Sequence, residues 1–452
     1  MSKKPSNRIS RRGFIGTSTA ALAGFTIVPG YAVSGLGHRA PSDKLNIAGI
    51  GIGGMGRNNI ANVAKTENIA ALCDVDWGEA SARVFKIYPN AVQYKDYRIM
   101  LDKQKDIDAV IVATSDHTHA IISMEAMKRR KHVFTQKPLT HTVYESRVLA
   151  KAAKEYKVAT QMGNQGQAGD GPRRLREMIW DGVIGQVREV HVWTDRPNNG
   201  LFRTYWPQGV ARPDDTPPVP PTLDWDLFIG PAPMRPYHPA YHPFKWRGWW
   251  DFGVGALGDI GCHSFDPVFR ALKLKYPLTI QAVSTIVNDE TYPLSSIIRY
   301  EFPAREGMVP VTLTWYDGGI RPFNIPELEE GMQMGTGGTL FVGDKGKILD
   351  DKILPAALRN SYKPPTPYIP SSPGHEEEWI LACKGGEPAG SNFDWAGPLT
   401  ETVLLGNIAL RRALKEKLST QILKFDPEKF SFPDMPEADQ YLHCEYRQGW
   451  NL

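Results

Sequence analysis

Lys44-Leu45-Asn46-Ile47-Ala48-Gly49-Ile50-Gly51-Ile52-Gly53-Gly54-Met55-Gly56 is the stretch that decides the fold. A short apolar strand, Lys44 to Ile52, runs straight into glycines, and Met55 to Lys65 continues with a helical pattern. In a strand–turn–helix, Gly51 permits the tight turn and Gly53 lets the backbone approach a pyrophosphate. Gly56 lets the helix pack closely on the strand. Gly54 and Met55 open the helix, whose N-terminal amides favour negative charge. The stretch reads as a dinucleotide-binding turn.

The surroundings agree with that reading. Ile69 to Val75 is a second strand, closing on Cys73-Asp74-Val75-Asp76, and Ile107 to Ala113 is a third. Ala120 to Arg130 is helical, Val133-Phe134 a short strand and Val143 to Tyr156 a further helix. Strands alternating with helices at this spacing predict βαβ units and a parallel sheet. Asp74 stands 23 residues beyond Gly51, at a strand end. A carboxylate there accepts from both ribose hydroxyls and repels a 2′-phosphate, so NAD is expected over NADP.

Three downstream motifs add chemistry. Ala113-Thr114-Ser115-Asp116-His117-Thr118-His119 leaves a strand end, where α/β sheets bind ligands. Gln136-Lys137-Pro138 follows the next strand. Gly255-Ala256-Leu257-Gly258-Asp259-Ile260-Gly261-Cys262-His263 opens a helix to Leu272, and Asp259 and His263, four apart, share one face of it. His117 and His119 lack an acidic or cysteine partner at ligand spacing, so no metal is expected.

Together with the glycine turn and Met162-Gly163-Asn164-Gln165-Gly166, this ordered set resembles the family of glucose–fructose oxidoreductase and inositol 2-dehydrogenase, Gfo/Idh/MocA, in its exported branch. The resemblance spans nearly the whole chain after the leader. It implies a Rossmann domain followed by a C-terminal α/β domain with an open, largely antiparallel sheet. The activity implied is NAD-dependent oxidation or reduction at a secondary hydroxyl of a sugar, sugar derivative or polyol. Lys137, Asp259 and His263 are the implied catalytic trio, with a cis Lys137–Pro138 peptide. Thr114, His117, His119, Gln136, Lys137 and Asn164 join the glycine turn and Asp74 as implied cofactor contacts, and Gln165 as a substrate contact. A homodimer or homotetramer is implied as well.

The residue types suit hydride transfer. Oxidising a secondary alcohol needs a group to take the hydroxyl proton, and His263 has a suitable reference pKa. Asp259 either orients the substrate or stabilises His263 as imidazolium. Lys137 either holds the alcohol oxygen or relays the proton itself, so both Lys137 and His263 stand as candidate bases. Gln136 replaces the Glu usual in the family before Lys-Pro, which removes a charge beside Lys137 and should lower its pKa. Two other readings are open: an NAD-dependent glycosidase working by transient C3 oxidation and elimination, and a carbohydrate-binding relic without catalysis.

The second half predicts a helix over Gly171 to Asp181 and strands over Val187 to Thr194, Leu278 to Val287, Ser296 to Phe302, Val309 to Trp315 and Thr339 to Val342. Helices over Glu376 to Cys383 and Pro398 to Lys417 are expected to cover that sheet. Six of the twelve tryptophans lie between Trp193 and Trp250, in and around a Pro-rich stretch from Pro207 to Trp250. A loop this long in a compact domain is commonly a lid or binding loop. Trp246, Arg247 and Trp249 are therefore candidate walls for a sugar ring.

Ahead of the fold, Ser10-Arg11-Arg12-Gly13-Phe14-Ile15 follows basic residues and precedes a weakly apolar run from Thr17 to Val28. That order reads as a twin-arginine export signal, too short to span a bilayer, with the translocase as partner and the periplasm as destination. The expected organisation is a leader over 1–40, an NAD-binding domain over 41–165 and a substrate-binding and oligomerisation domain over 166–452. Hydrophobic content of 41%, charged content of 23% and a net charge of +4, much of it in the leader, argue against a nucleic-acid surface. The four cysteines show no metal spacing, and a chain that folds before export needs no disulfide.

Overall fold

Six short strands build the first layer: β1 (Asn46–Ile50), β2 (Asn68–Cys73), β3 (Val92–Tyr94), β4 (Ala109–Val112), β5 (His132–Gln136) and β6 (Thr160–Gly163). The structure is a computed structural model describing residues 43–200, 203–323, 325–411, 414 and 422–452. The expected export segment and residues 412, 413 and 415–417 of the expected C-terminal helix lie outside the described residues. Asn46–Leu452 form one compact unit. The strands pair in the order β3-β2-β1-β4-β5-β6, every pair parallel. Ala109–Val112 is buried at every residue, as a strand covered on both faces must be. Helices α1 (Met55–Val63), α2 (Glu79–Ile87), α3 (Tyr97–Lys103), α4 (His119–Lys128) and α5 (Val143–Tyr156) connect the strands. A reciprocal Thr142–Glu145 capping box starts α5.

This order reverses direction between β1 and β4, opening the crevice where such sheets bind nucleotides. Because all six strands run the same way, their C-terminal ends share one edge. The glycine turn, Asp74, Thr114, Lys137 and Asn164 all follow those ends.

The second layer is a mixed sheet of eight strands: β7 (Val187–Trp193), β8 (Thr279–Ser284), β9 (Ser296–Phe302), β10 (Val311–Tyr316), β11 (Gly338–Gly343), β12 (Lys347–Leu349), β13 (Lys352–Leu354) and β14 (Leu423–Lys424). Its order is β13-β12-β11-β7-β10-β9-β8-β14, and only β7 and β10 pair in parallel. Helices α6 (Asp170–Trp180), α7 (Gly255–Leu272), α8 (His375–Cys383) and α9 (Phe393–Ala409) accompany it. β10 alternates buried and half-buried residues, the pattern of a sheet with one covered face.

α9 carries the join between layers. It packs on α5, α7 and β8, and it is buried along almost its whole length. Val403, Leu404 and Leu405 belong to one core with Leu149 of α5 and Phe265 of α7. Each such side chain contributes about 1.5–3 kcal/mol on burial. Arg147 of α5 also reaches the buried Glu401 of α9 at 2.7 Å.

The long aromatic stretch has a core of its own, built from Leu223, Phe228, Ile229, Tyr237, Tyr241, Trp246, Trp249 and Phe252. It also closes over the end of β2. The Trp77 amide donates to the Thr222 carbonyl (3.0 Å), and the Asp224 amide donates to the Val75 carbonyl (2.9 Å). His242 Nε2 lies 3.0 Å from Asp76 Oδ2, a contact that holds the Asp76 carboxyl down at about 2.

Candidate active site

The glycine turn takes its shape from backbone geometry. Gly51 adopts φ +78°, a region that favours glycine, and its amide donates to the Cys73 carbonyl at 2.9 Å. A Cβ on Gly56 would stand 1.9 Å from the Gly51 carbonyl oxygen, so only glycine brings α1 this close to the turn. No side chain caps α1, which leaves its first amides for a ligand. Asp74 sits beside the turn. Its Oδ2 accepts from the Ile52 amide (2.8 Å) and its Oδ1 from the Asp76 amide (3.0 Å). Burial raises the Asp74 carboxyl, and those two amides oppose the rise.

The charged centre lies two strands away. Lys137 Nζ, after β5, donates to Asp259 Oδ1 (2.7 Å) and to the Asp259 carbonyl (2.9 Å) on α7. Arg247 Nε donates to the same Oδ1 at 3.0 Å. Burial works to raise the Asp259 carboxyl, but Lys137 and Arg247 together hold it well below the usual range. The Lys137–Pro138 peptide is cis. His263, one turn along α7, has no hydrogen-bond partner among the described residues. Burial, reinforced by the Lys137 charge and opposed by Asp259, lowers it to about 4, so its imidazole is neutral. The Asp259 carboxylate therefore pairs with Lys137 and Arg247, not with His263.

Several expected contacts fall elsewhere. His117 is fully buried, with Nε2 2.9 Å from the Phe228 carbonyl and Nδ1 3.2 Å from that of Phe252. His119 Nδ1 lies 2.8 Å from the Pro138 carbonyl and its Nε2 3.2 Å from that of Thr114. Both rings tie the loop after β4 to neighbouring main chain, which leaves no ring nitrogen for a nucleotide. Gln136 turns away from Lys137: its Nε2 donates to Asn59 Oδ1 (2.8 Å), and Asn59 Nδ2 donates to Glu376 Oε1 (2.9 Å). The charge next to Lys137 comes from Asp259 instead. Trp249 is 1% exposed and donates its indole N–H to the Ala240 carbonyl, so it is core and not wall. Trp246 is 9% exposed and lies beneath the Arg247 guanidinium, 4.2 Å from it.

Other polar atoms stand without partners. Asn164, at the end of β6, is buried, and among the described residues neither its Oδ1 nor its Nδ2 has a hydrogen bond. Gln165 Nε2 and Asp116 Oδ2 share that condition. Burial pushes the Asp116 carboxyl well above the usual range, with Arg247 and Lys137 opposing and Asp259 adding to the rise. Within the histidine motif, no local sequence feature sets Asp116 apart. Thr114, directly below Gly51, accepts a hydrogen bond from the Thr118 hydroxyl at 2.7 Å.

A glycine turn at the switch point, an acidic strand end and unpartnered amides on the same sheet edge fit a dinucleotide, and they define a nucleotide-dependent α/β class. The chain belongs to the Gfo/Idh/MocA oxidoreductase family: residues 45–164 match its NAD-binding Rossmann fold and residues 172–291 its C-terminal alpha/beta domain. It is 33% identical to inositol 2-dehydrogenase of Salmonella typhimurium over 150 residues, 33% of this chain and 44% of that protein. It is likewise 33% identical over 150 residues to an inositol 2-dehydrogenase/D-chiro-inositol 3-dehydrogenase of Lacticaseibacillus casei, covering 32% of this chain and 43% of that protein. The chain thus matches under half the length of these curated relatives. Among solved structures, the WlbA dehydrogenase of Bordetella pertussis, in complex with NADH and UDP-GlcNAcA, shares the fold with a TM-score of 0.57 at 16% identity, over 85% of this chain and 99% of that one. An aldose-aldose oxidoreductase of Caulobacter crescentus does so with a TM-score of 0.52 at 18% identity, over 84% and 100%.

Proposed function

We propose that this chain is an exported NAD-dependent oxidoreductase that acts on a secondary hydroxyl of a sugar, sugar derivative or polyol and keeps its nucleotide bound. The observation that carries the reading is the Lys137–Asp259 contact of 2.7 Å at the sheet edge that also bears the glycine turn, with His263 one turn beyond Asp259 on α7. Gly51 to Gly56, Asp74 and the unpartnered Asn164 are the residues that would hold NAD. When bound, NAD supplies the acceptor or donor of hydride.

The protein groups divide the proton work. Two of the three ammonium N–H bonds of Lys137 point to Asp259, which leaves the third for a substrate hydroxyl oxygen. That contact stabilises the oxygen as negative charge develops on it. His263, uncharged, takes the hydroxyl proton. Asp259 fixes the direction of the ammonium, and Arg247 shares its oxygen. Arg11 and Arg12 support passage through the twin-arginine translocase to the periplasm, where no free nicotinamide pool exists. A retained nucleotide must then be reset by a second substrate. A homodimer or homotetramer is part of the same proposal.

The test is to denature protein recovered from the exported fraction and identify any released nucleotide by mass spectrometry. Near-equimolar NAD or NADH supports the reading. Protein that arrives empty and also fails to bind added nucleotide overturns it. A companion variant, Arg11→Lys with Arg12→Lys, should stay in the cytoplasm with nucleotide bound, and normal export of it would defeat the translocation proposal.

A further inference from the structure

The aromatic insert between β7 and α7 hides nearly all of its rings. Trp249, Phe252 and Tyr241 are buried, and Trp246 is almost so. Phe244 is the exception: it is 49% exposed, the one exposed aromatic ring of this insert among the described residues. Its backbone is unusual too. Phe244 has φ 62° and ψ −40°, and the Lys245 amide reaches back to the Pro243 carbonyl at 2.6 Å, closing a three-residue turn. A bulky L-residue adopts this region only under constraint, and such residues concentrate at functional sites.

The constraint leads to the charged centre. The Phe244 carbonyl accepts from Arg247 Nη1 at 3.0 Å, and the guanidinium lies 4.3 Å from the Phe244 ring and 4.2 Å from that of Trp246. The same guanidinium holds Asp259 through Nε, and Asp259 holds Lys137. A chain of direct contacts therefore runs from an exposed apolar ring to the ammonium. A Cβ on Gly253 would stand 2.5 Å from the Arg247 backbone, so the segment has little room to shift.

We propose that Phe244 is a specificity residue whose exposed ring stacks on the apolar C–H face of a pyranose or cyclic polyol as its hydroxyl meets Lys137. This rests on the oxidoreductase reading and names its substrate class by shape: a ring with a flat apolar face, not a linear polyol. Arg247 sets the distance between platform and ammonium. The wall that sequence composition assigns to Trp246 and Trp249 is supplied by a smaller neighbour that the fold leaves uncovered.

The test uses the full-length, nucleotide-loaded protein, with calorimetric binding of myo-inositol and D-glucose as rings and D-sorbitol as the ring-free control. Phe244→Ala should weaken ring binding about tenfold, the scale of one aromatic contact, with bound nucleotide unchanged. Phe244→Tyr should restore it. Phe244→Gly should lose the same affinity yet unfold at a higher temperature, because glycine relaxes the φ 62° turn. Ring affinity unchanged in Phe244→Ala overturns the proposal, as does an equal loss for sorbitol or a change of oligomeric state in place of affinity. Wild-type protein that holds nucleotide but binds neither ring also overturns it. Protein that holds no nucleotide fails the oxidoreductase reading itself.

Discussion

His117 and His119, in the loop after β4, and His263, one turn beyond Asp259 on α7, share an electrostatic condition: burial lowers each to about 4. They differ in what surrounds their nitrogens. The two loop histidines face four main-chain carbonyls between them, whereas His263 faces no hydrogen-bond partner among the described residues. A lowered pKa alone therefore does not separate a structural histidine from a reactive one. The free nitrogen does, because only an unengaged imidazole can accept a substrate proton.

The comparison breaks most visibly at the residue beside His263. Asp259→Ala should remove turnover and destabilise the protein by about 3–5 kcal/mol, since it leaves Lys137 and Arg247 together without their carboxylate. Urea unfolding and nucleotide reduction measured on one preparation would check both effects. His263→Ala should lower turnover by about 10²–10⁴-fold while leaving the unfolding midpoint and bound nucleotide nearly unchanged. Unchanged turnover removes His263 from the mechanism. His117→Ala should do the reverse. Stability should fall by about 2–4 kcal/mol through a lost buried hydrogen bond and a cavity, with turnover per folded molecule preserved. A catalytic collapse in a stably folded His117→Ala protein would erase the distinction.

Acidity sharpens the contrast further. In the proposed mechanism the rate needs His263 unprotonated, so kcat/KM should fall as pH drops through about 4 and not near 6.5. His263→Gln should lose that limb. The smallest effect concerns folding. The folded pKa of His117 lies below its unfolded value, so the unfolded chain takes up the proton first. The stability His117 contributes is complete above pH 6.5 and declines as pH falls to about 4. The slope is at most about 1.4 kcal/mol per pH unit. The gap in stability between wild type and His117→Phe should narrow over that window, and a constant gap would mean that His117 is charged in the folded state.

Local signals were strong where the chain forms long or sharply marked elements. The glycine turn, β1, β2, β4 and the acidic residue at the end of β2 are legible because each depends on a few consecutive residues. β3, β6, β12, β13 and β14 passed unnoticed. They span two to four residues, too few for a period to show, and are strands only because a neighbour supplies the ladder. The ordered motifs marked Lys137, Asp259 and His263 as candidates, and the fold brings Lys137 and Asp259 into contact. Asp116 was overlooked because an aspartate in a loop carries no local mark of burial. Trp249 looked like a binding surface because aromatic density does not say which rings face water.

By itself, then, the sequence determined the Rossmann domain, its switch-point turn and the membership in the Gfo/Idh/MocA family, since these rest on backbone geometry and hydrophobic period encoded over short stretches. Only the tertiary structure decided which polar groups are engaged. Gln136 donates to Asn59 and His117 sits between the carbonyls of Phe228 and Phe252, leaving His263 and Asn164 open. The physical reason is that hydrogen-bond satisfaction and exposure are set by partners far away in the chain, such as the 122 residues between Lys137 and Asp259. No local pattern records such a meeting.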